Sequence, residues 1–535
     1  MDITIQIMRF IDCYCKSNSL NNSFKVLKMT RNLRNLHKSD FSILYKNATT
    51  PSSVSVDVVE AGPGVAIGEF LPKNSMENLA SALEKSSSLW SIPLKSCLVK
   101  GNRIEIRINR VETYKMIGKC VKDAGAEYGL VNKCNSSNEI FINASELYNS
   151  QYSTMTLDQY RSQLIAEHVS SLLEASGKSV KTNVGIREIG QPITLKTSSS
   201  EKQCYDQLKK SIYTTGCGDS DCTIDLKRYI EENNLPQGKY LYDINLGNCK
   251  VTDGCMLLKQ ISELNNSTTM SQQCILHVVQ SNHSYVQQQT DIAWKILTKP
   301  PPQFHLVHGG VTTKDKSRCS ASEYYRLRFD QVKEASIQKY GTEVNGDAWK
   351  PLLHTLTEAA VKFELLSSAC QNDVKVDLSP SVDTCGPPLC REGTFILYNC
   401  ARLATLFTHF KQKVERGLYP ALPSIDSIDF TTLSDEDEWN LLFNYVLPFP
   451  DVVKCCIEKF DDNCLNITIH THRICGFLQN LTRKLSSYYN RVHILVEPRP
   501  HLLPVIFARL YLMKFIQQVI HNSLSLLRID PLQQV

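Results

Sequence analysis

The clearest hydrophobic pattern of the chain lies after residue 393. Apolar positions recur there at alternating spacings of four and three, which is typical of one helix face: Ile396, Cys400, Leu403, Phe407, Phe410 and Val414. A second helix is predicted to open at Ser434, because the acidic residues that follow suit the positive end of a helix dipole. A third is predicted over about His472 to Val492, and a fourth after Pro504. Long amphipathic helices with short connections predict a helical bundle.

Upstream of the bundle the pattern indicates a mixture of helices and strands. Residues 157–180 predict a long amphipathic helix that ends at Gly177. The apolar runs 276–282 and 304–310 predict buried strands, and together these features favour an α/β middle domain. Nearer the N-terminus, residues 103–108 alternate charged and apolar side chains, which is the period of a half-buried strand.

Basic residues are concentrated in two segments of the N-terminal third. Residues 24–38 predict an amphipathic helix with cations over one broad side: Lys25, Lys28, Arg31, Arg34 and Lys38. A solvated face is favoured there over an RNA contact. The stretch from Lys100 to Lys122 is the better candidate for phosphate, although charges on an edge strand also prevent aggregation.

Two segments of the chain have an irregular pattern. Residues 49–74 are rich in Ser, Pro and Gly and predict a loop, and residues 371–392 predict a linker. The sequence therefore predicts an N-terminal α+β domain over 1–150, an α/β domain over 151–370 and the helical bundle over 393–535.

Composition narrows the class of protein. A chain of 535 residues with 42% hydrophobic and 21% charged residues is typical of a soluble, multidomain globular protein. The net charge is only +5, and residues 393–535 contain 14 Lys and Arg against 13 Asp and Glu. Nucleic-acid binding would therefore depend on local basic patches.

Cysteine usage and hydropathy bear on the cellular setting. Twenty scattered cysteines without a secretory signal favour a reducing environment, so we expect a cytoplasmic protein with the nucleus as alternative. The apolar stretch 502–520 contains Arg509 and Lys514, which argues against a transmembrane span. Three cysteine pairs approach zinc-ligand spacing without matching it, so no metal site is predicted: Cys217 with Cys222, Cys249 with Cys255, and Cys385 with Cys390.

Several C-terminal segments resemble a known family. FILYNCARLATLF at 395–407 resembles the Tyr-x-x-Ala-Arg helix that opens the DALR anticodon-binding domain of arginyl-tRNA synthetases. In that register Tyr398, Ala401 and Arg402 occupy the motif positions. Residues 358–368, 472–495 and the closing helix resemble further segments of these enzymes in the same order. The resemblance implies a multidomain fold, in which a degenerate class I synthetase-like α/β domain precedes an all-α DALR bundle.

The same resemblance points to a lost catalytic signature. Residues 160–180 resemble the helix that follows the ATP-binding His-x-Gly-His motif. In this register the motif falls on four other residues: Thr156, Leu157, Asp158 and Gln159. Because the imidazoles that hold ATP phosphates are missing there, we expect no aminoacylation and no cofactor. The second, lysine-rich signature is only echoed by Lys314, Lys316 and Arg318, which are candidate phosphate contacts.

The segments NCARLATLF, LPFPD and SSYYNRVHILVEPRPHL resemble an animal family of synthetase relatives that keep the DALR domain and lack the aminoacylation signatures. This resemblance implies a non-catalytic adaptor that recognises arginine tRNAs. It further implies that the adaptor supports 3-methylcytosine formation in the anticodon loop by a partner S-adenosylmethionine-dependent methyltransferase.

Aromatic and cationic residues of the bundle are the candidates for reading the anticodon, because unstacked bases stack on aromatic or guanidinium planes. The candidates are Tyr398, Asn399, Arg402, Lys413 and Arg416 from the first helix, and Tyr488, Tyr489, Arg491, His493 and Arg499 from the third helix and the turn after it. Tyr489 is the best single candidate, with a core tyrosine as the alternative. For Arg402 a structural ion pair or cap is favoured over an RNA contact.

Two other functions stay open at this point. One is a divergent arginyl-tRNA synthetase with altered ATP contacts, which the segment from Thr156 to Gln159 disfavours. The other is a protein-interaction module that has lost RNA binding.

Overall fold

The computed structural model places the described residues in two compact units. The structure describes residues 7, 10–11, 24–29, 36, 39–45, 73–101, 103–131, 139–144, 154–182, 199–218, 220–268, 272–316, 318–378, 388–457 and 464–533. The first unit comprises Met1–Gly125, Phe410–Pro448 and Ser487–Ile516, and the second comprises Ala126–His409, Phe449–Ser486 and Gln517–Val535. These units divide the chain differently from the predicted domain limits, which stay a prediction.

The first unit contains a four-stranded antiparallel sheet in the order β1-β2-β4-β3. Its strands are β1 (Phe24–Met29), β2 (Phe41–Tyr45), β3 (Leu94–Lys100) and β4 (Arg103–Ile108). The strand predicted over 103–108 is confirmed, but β4 lies between β2 and β3 and is therefore not an edge strand. Glu105 on β4 is buried and forms ion pairs with Lys100 and Arg103. Two cations of the predicted basic stretch, Lys100 and Arg103, therefore neutralise the buried Glu105 carboxylate.

The helix predicted over residues 24–38 is wrong for its first part. Residues 24–29 form β1, and Met29 pairs with Phe41 of β2 in the antiparallel register. A short segment fits both the helical and the strand period, and pairing with a neighbouring strand decides between them. Residues 30–35 and 37–38 lie outside the described residues.

Two helices accompany this sheet in the first unit, α1 (Lys73–Ser87) and α2 (Arg110–Ala124). The loop predicted over 49–74 lies outside the described residues except for 73–74, which begin α1. The Asn109 side chain caps α2 by accepting a hydrogen bond from the backbone N–H of Glu112. Gly118 of α2 packs directly against Phe515, and a Cβ atom there would clash with the ring.

The second unit contains a four-stranded parallel sheet in the order β11-β10-β5-β6. The strands of this unit are β5 (Glu139–Asn143), β6 (Ser179–Thr182), β7 (Thr214–Cys217), β8 (Asp221–Asp225), β9 (Asn248–Thr252), β10 (Gln272–Gln280), β11 (Gln303–His308), β12 (Val311–Thr313) and β13 (Val374–Val376). The predicted buried strands are confirmed as β10 and β11. Parallel neighbours need crossover connections, and helices provide them.

The helices of the α/β part are α3 (Leu157–Ala175), α4 (Ser199–Lys209), α5 (Leu226–Glu232), α6 (Met256–Ser267), α7 (Ser284–Leu297), α8 (Ala321–Tyr340) and α9 (Lys350–Leu366). The helix predicted over 157–180 is confirmed as α3, and Gly177 follows it with a φ of +82°. Strands β7, β8 and β9 form a separate antiparallel sheet, and β12 pairs with β13. The predicted linker 371–392 therefore contains β13, and residues 379–387 lie outside the described residues.

The C-terminal helices are α10 (Pro388–Glu415), α11 (Glu436–Leu441), α12 (Phe449–Lys454), α13 (His472–Arg491) and α14 (Leu503–Leu526). The first, third and fourth predicted helices are confirmed as α10, α13 and α14. The second is not one long helix, because α11 has six residues and continues as a π-helical turn. Its cap is Asp435 and not Ser434.

Helix α14 is long and apolar enough to cross a membrane, but 61% of its most apolar window is buried inside the protein. It is therefore a core helix of the fold. The predicted absence of a transmembrane span at this position agrees with that burial.

Candidate nucleic-acid interface

Tyr488, predicted to contact RNA, lies in the core of the first unit. It is 1% exposed, and its hydroxyl donates a hydrogen bond to Glu438 Oε1 at 2.8 Å. Burial raises the pKa of Tyr488, and the neighbouring Glu438 carboxylate raises it further. Its ring faces protein and has no open surface on which a base can stack. The structure thus corrects the prediction for Tyr488 to a structural role.

Glu438 is the centre of a buried hydrogen-bond network. Besides the Tyr488 hydroxyl, Oε1 accepts from Arg509 Nε at 2.7 Å. Oε2 accepts from the backbone N–H of Asp435 at 3.2 Å and so completes the capping box of α11. A fully buried carboxylate is stable only with such partners, because its desolvation is costly. The network fixes the end of α13 and the first part of α14 against the start of α11.

Arg491 ends α13 and is held by two carboxylates. Its Nη1 donates to Asp435 Oδ2 at 2.7 Å and its Nη2 to Asp437 Oδ2 at 2.5 Å. The hydrogen bond to Asp435, together with that to Asp437, raises the pKa of Arg491 above its usual value. The side chain is nevertheless 53% exposed. The aspartates therefore occupy donors that a phosphate or a base edge would otherwise use.

The other predicted residues of this region reach the surface. Tyr489 is half-buried and His493 is exposed. Adjacent residues of a helix point about 100° apart, so the half-buried Tyr489 lies on a different face of α13 from the buried Tyr488. Arg499 is exposed and donates two hydrogen bonds to Glu497 at 3.0 and 2.7 Å.

The residues predicted from the first helix are divided between the units. In the first unit, Arg416 is exposed and Lys413 is half-buried, with its ammonium 5.5 Å from the Tyr419 ring centroid. In the second unit, Asn399 is 4% exposed and donates to the carbonyl of Phe395 at 2.8 Å. Burial removes Asn399 from the residues that can meet RNA.

Tyr398 and Arg402, the motif residues of α10, are accessible. Tyr398 is half-buried, and the ammonium of Lys339 lies 4.0 Å from its ring centroid. Tyr340 lies beside it with a centroid distance of 6.4 Å. Arg402 is exposed one turn further along the helix. These residues belong to the second unit.

The segment from Thr156 to Gln159, which the resemblance aligns with the ATP signature, forms a helix cap. The Thr156 hydroxyl accepts from the backbone N–H of Gln159 at 3.2 Å, and the Gln159 side chain accepts from the Thr156 N–H at 3.0 Å. Asp158 Oδ1 accepts from the backbone N–H of Val311 at 2.5 Å and faces Gly310. These polar groups satisfy the start of α3, and the segment offers a carboxylate where the signature has imidazoles.

The predicted phosphate contacts follow β12 in an exposed turn. Lys314 forms an ion pair with Asp377 at 2.7 Å. Lys316 adopts a left-handed conformation with a φ of 58°, and both Lys316 and Arg318 are exposed. All three cations are therefore exposed, and one of them, Lys314, is paired with Asp377, while residue 317 lies outside the described residues.

Comparisons with known proteins place the chain in a family. A model of the DALR anticodon binding domain matches residues 396–535. The DALR anticodon-binding domain-containing protein 3 of Rattus norvegicus is 35% identical over 421 residues, covering 71% of this chain and 76% of that protein. Its Danio rerio counterpart is 32% identical over 439 residues, covering 74% and 77%. The chain belongs to the DALR anticodon-binding domain-containing protein 3 family.

Arginyl-tRNA synthetases are more distant relatives of this family member. An arginine–tRNA ligase of Syntrophotalea carbinolica is 29% identical over 168 residues, covering 31% of this chain and 26% of that enzyme. The Plasmodium falciparum arginyl-tRNA synthetase structure matches 100% of this chain and 99% of its own at a TM-score of 0.59 and 12% identity. The Thermus thermophilus enzyme matches 98% and 99% at a TM-score of 0.55 and 10% identity. The predicted fold, a synthetase-like α/β region followed by a DALR bundle, is confirmed, and the family supports a function related to tRNA binding.

Sequence reasoning missed the network that organises the end of α13. Asp435 and Asp437 were interpreted only as charges suited to a helix dipole, and Glu438 only as a member of that acidic run. Glu438 lies in α11 directly beside Trp439, which is also buried, but the sequence alone does not distinguish it from the acidic residues before it. Capping alone does not identify Arg491 as the partner of Asp435 and Asp437, because 56 and 54 residues separate them.

Proposed function

We propose that this family member is a non-catalytic tRNA-binding adaptor that recognises arginine tRNAs. The observation that carries the proposal is the accessible end of α13, where Tyr489, Arg491 and His493 lie at the surface of a domain that matches an anticodon-binding family. A half-exposed aromatic ring beside cations suits unstacked anticodon bases and their phosphates.

The proposed adaptor does not aminoacylate. Transition-state stabilisation by the synthetases requires cationic or imidazole donors on ATP, and the segment from Thr156 to Gln159 has none. Its Asp158 carboxylate would repel phosphate at the position where the signature attracts it. We therefore propose that the α/β region retains a scaffold role.

A basic surface in the first unit supports binding beyond the anticodon. Lys115, Lys119 and Lys122 are exposed on α2 at spacings of four and three, so they share one helix face. Burial and repulsion from Lys122 lower the pKa of Lys514 on α14, which places a fourth cation near this face. Glu112 neutralises one positive charge of this face through an ion pair with Lys115 at 3.4 Å. A phosphate backbone would relieve the remaining repulsion.

We propose that a partner enzyme methylates the bound tRNA. The resemblance described above implies that the adaptor delivers arginine tRNAs to an S-adenosylmethionine-dependent methyltransferase that forms 3-methylcytosine in the anticodon loop. A protein with this role acts where tRNA matures, and we propose the cytoplasm.

Binding and delivery are tested separately. Fluorescence anisotropy of the purified full chain with transcripts of an arginine tRNA and of a non-cognate tRNA is expected to show tighter binding to the arginine tRNA. Equal, weak binding of both transcripts would contradict specificity for arginine tRNA. The absence of binding would favour the alternative function, a protein-interaction module that has lost RNA binding. Immunoprecipitation from cells is then expected to recover arginine tRNAs together with a methyltransferase.

Activity assays complete the test. Addition of the chain to that methyltransferase is expected to raise 3-methylcytosine in arginine tRNA, measured by mass spectrometry of the digested RNA. Arginine-dependent ATP–pyrophosphate exchange by the pure chain is expected to be absent, and its appearance would establish a divergent synthetase instead.

A further inference from the structure

Three metal-ligating side chains converge in the core of the second unit. His277 on β10 and His305 on β11 are direct neighbours in the parallel register, so their side chains project from the same face of the sheet. Asp291 comes from α7, which packs against β10. All three side chains are fully buried, and their ligand atoms lie within 4.8 Å of one another.

These atoms lie near one another, with one pair closer and one pair further apart than in a tetrahedral zinc site, so small side-chain movements would bring them to zinc. Zinc binds nitrogen and oxygen at about 2.0–2.2 Å, which places the ligand atoms of a tetrahedron about 3.3 Å apart. His277 Nε2 lies 3.7 Å from Asp291 Oδ1. His305 Nε2 contacts the other oxygen of the same carboxylate. Both imidazoles thus direct Nε2 to one carboxylate, and two histidines with one carboxylate are a common zinc ligand set.

A further side-chain oxygen and a supporting amide lie beside His277. Gln303 Oε1 lies 3.2 Å from His277 Nε2, the same atom that faces Asp291 Oδ1. His277 Nδ1 lies 2.9 Å from the Asn143 side-chain amide. A zinc-bound imidazole donates its second N–H to an oxygen, and the Asn143 amide provides that oxygen when turned by half a rotation.

The hydrogen bonds of the protein alone leave this cluster incomplete. Among the described residues, His305 Nδ1 and Gln303 Nε2 are buried without a hydrogen-bond partner. Buried polar atoms are nearly always paired, so two such atoms in one cluster indicate a site arranged for more than internal hydrogen bonding.

The composition of the cluster also suits a cation, because one carboxylate lies between two imidazoles. The nearby Lys295 ammonium donates to the Tyr242 hydroxyl at 2.8 Å and lies outside the ligand set.

We propose that His277, Asp291 and His305 bind a structural zinc ion, with Gln303 Oε1 as the fourth ligand. The ion joins the two neighbouring strands β10 and β11 to α7 and so stabilises this side of the parallel sheet. This role is independent of tRNA binding.

The first test uses the unaltered full chain, produced with zinc in the medium and purified without a polyhistidine tag. Mass-spectrometric metal analysis is expected to find about one zinc ion per chain, and chelation is expected to lower the melting temperature. Cobalt added to the chelated protein is expected to give visible ligand-field absorption without a thiolate charge-transfer band. Protein that contains no zinc and gives no cobalt spectrum would overturn the proposal.

Variants then assign the ligands. Asp291→Asn is expected to lose the metal, whereas Asp253→Asn, which alters an exposed aspartate of the same unit, is expected to keep it. The double variant Cys217→Ser with Cys222→Ser is also expected to keep the metal. Retention of zinc by Asp291→Asn, or a thiolate band in the cobalt spectrum, would place the ion elsewhere and contradict the proposal. The cobalt spectrum of the unaltered chain decides the question if Asp291→Asn does not fold.

Discussion

Tyr488 and Glu438 are joined by a 2.8 Å hydrogen bond in the core of the first unit, and neither side chain reaches solvent. The next residue, Tyr489, is half-buried on the same helix. Two adjacent tyrosines that look equivalent in the sequence therefore differ in burial. Tyr488 fixes the end of α13, and Tyr489 is partly accessible on another face of the helix.

The variant Tyr488→Phe is expected to lower the free energy of unfolding by about 1.5–3 kcal/mol, because a buried carboxylate loses a charge-assisted hydrogen bond. The tRNA affinity of the folded variant is expected to stay unchanged. Urea denaturation measures the first quantity and anisotropy the second. Tyr240→Phe, at a tyrosine that is 56% exposed, serves as the control.

The variant Tyr489→Ala is expected to show the opposite pattern. Loss of one base stack weakens binding by about 1–3 kcal/mol, which corresponds to roughly 5- to 150-fold in affinity for arginine tRNA. The melting temperature is expected to change little. Unaltered affinity, measured beside Tyr240→Ala, would assign Tyr489 to the fold and remove it from the interface.

The sequence predicted the elements whose period is long and regular. Helices α10, α13 and α14 repeat one pattern over many residues, and strands β10 and β11 coincide with continuous apolar runs, so their local signal agrees with the fold. Segment 24–29 is too short for its period to distinguish a helix from a strand, and its pairing with β2 decided the outcome.

The interface was predictable only in part, because its organisation depends on contacts distant in sequence. Glu438 meets Tyr488 over 50 residues and Arg509 over 71 residues. No local pattern specifies which of the four adjacent acidic residues points inward. The sequence therefore indicated candidates for RNA binding and did not separate Tyr488 and Asn399, which are buried, from Tyr489, which is half-buried, and Arg402, which is exposed.

The capping box formed by Thr156 and Gln159 at the start of α3 allows a test of the structural role of this segment. Thr156→Ala is expected to lower the free energy of unfolding by about 1 kcal/mol, because α3 loses the side-chain acceptor at its N-terminus. Thr156→Ser keeps an equivalent hydroxyl and is expected to retain stability. Chemical denaturation of the three proteins checks this, and equal stability of all three would show that the capping box contributes nothing.

Acid is expected to weaken the ion pair between Asp435 and Arg491. Burial raises the pKa of Asp435, but the hydrogen bonds from Arg491 and from the Asp437 backbone outweigh it and hold the pKa below 3.8. A carboxyl with a depressed pKa contributes stability that is fully present above its unfolded value of about 3.9 and is lost as the pH falls through the folded value. The free energy of unfolding of the unaltered chain is therefore expected to exceed that of the Arg491→Ala variant by about 1 kcal/mol or less at neutral pH.

That difference is expected to persist down to about pH 4 and to shrink below it. Denaturant titrations of both proteins at a series of pH values provide the measurement. A difference that changes between pH 7 and pH 5 would show that another group, and not Asp435, controls the contribution of Arg491.

Removal of the carboxylates that hold Arg491 is expected to strengthen RNA binding. In the double variant Asp435→Asn with Asp437→Asn, the guanidinium is released to meet a phosphate, and two charges that repel RNA disappear. Affinity for arginine tRNA is expected to rise several-fold, and the salt dependence is expected to steepen by about one released counterion. Anisotropy over a range of salt concentrations measures both quantities.

A matched control separates this effect from a general change in charge. Asp330→Asn with Glu334→Gln removes two exposed carboxylates from α8 in the second unit. If that variant gains as much affinity as the first, long-range electrostatics and not Arg491 explains the gain. Adding Arg491→Ala to the aspartate variant is expected to abolish the gain in affinity and the steeper salt dependence, because the released guanidinium is then missing. If the higher affinity and the steeper salt dependence persist in the triple variant, Arg491 does not contact the RNA.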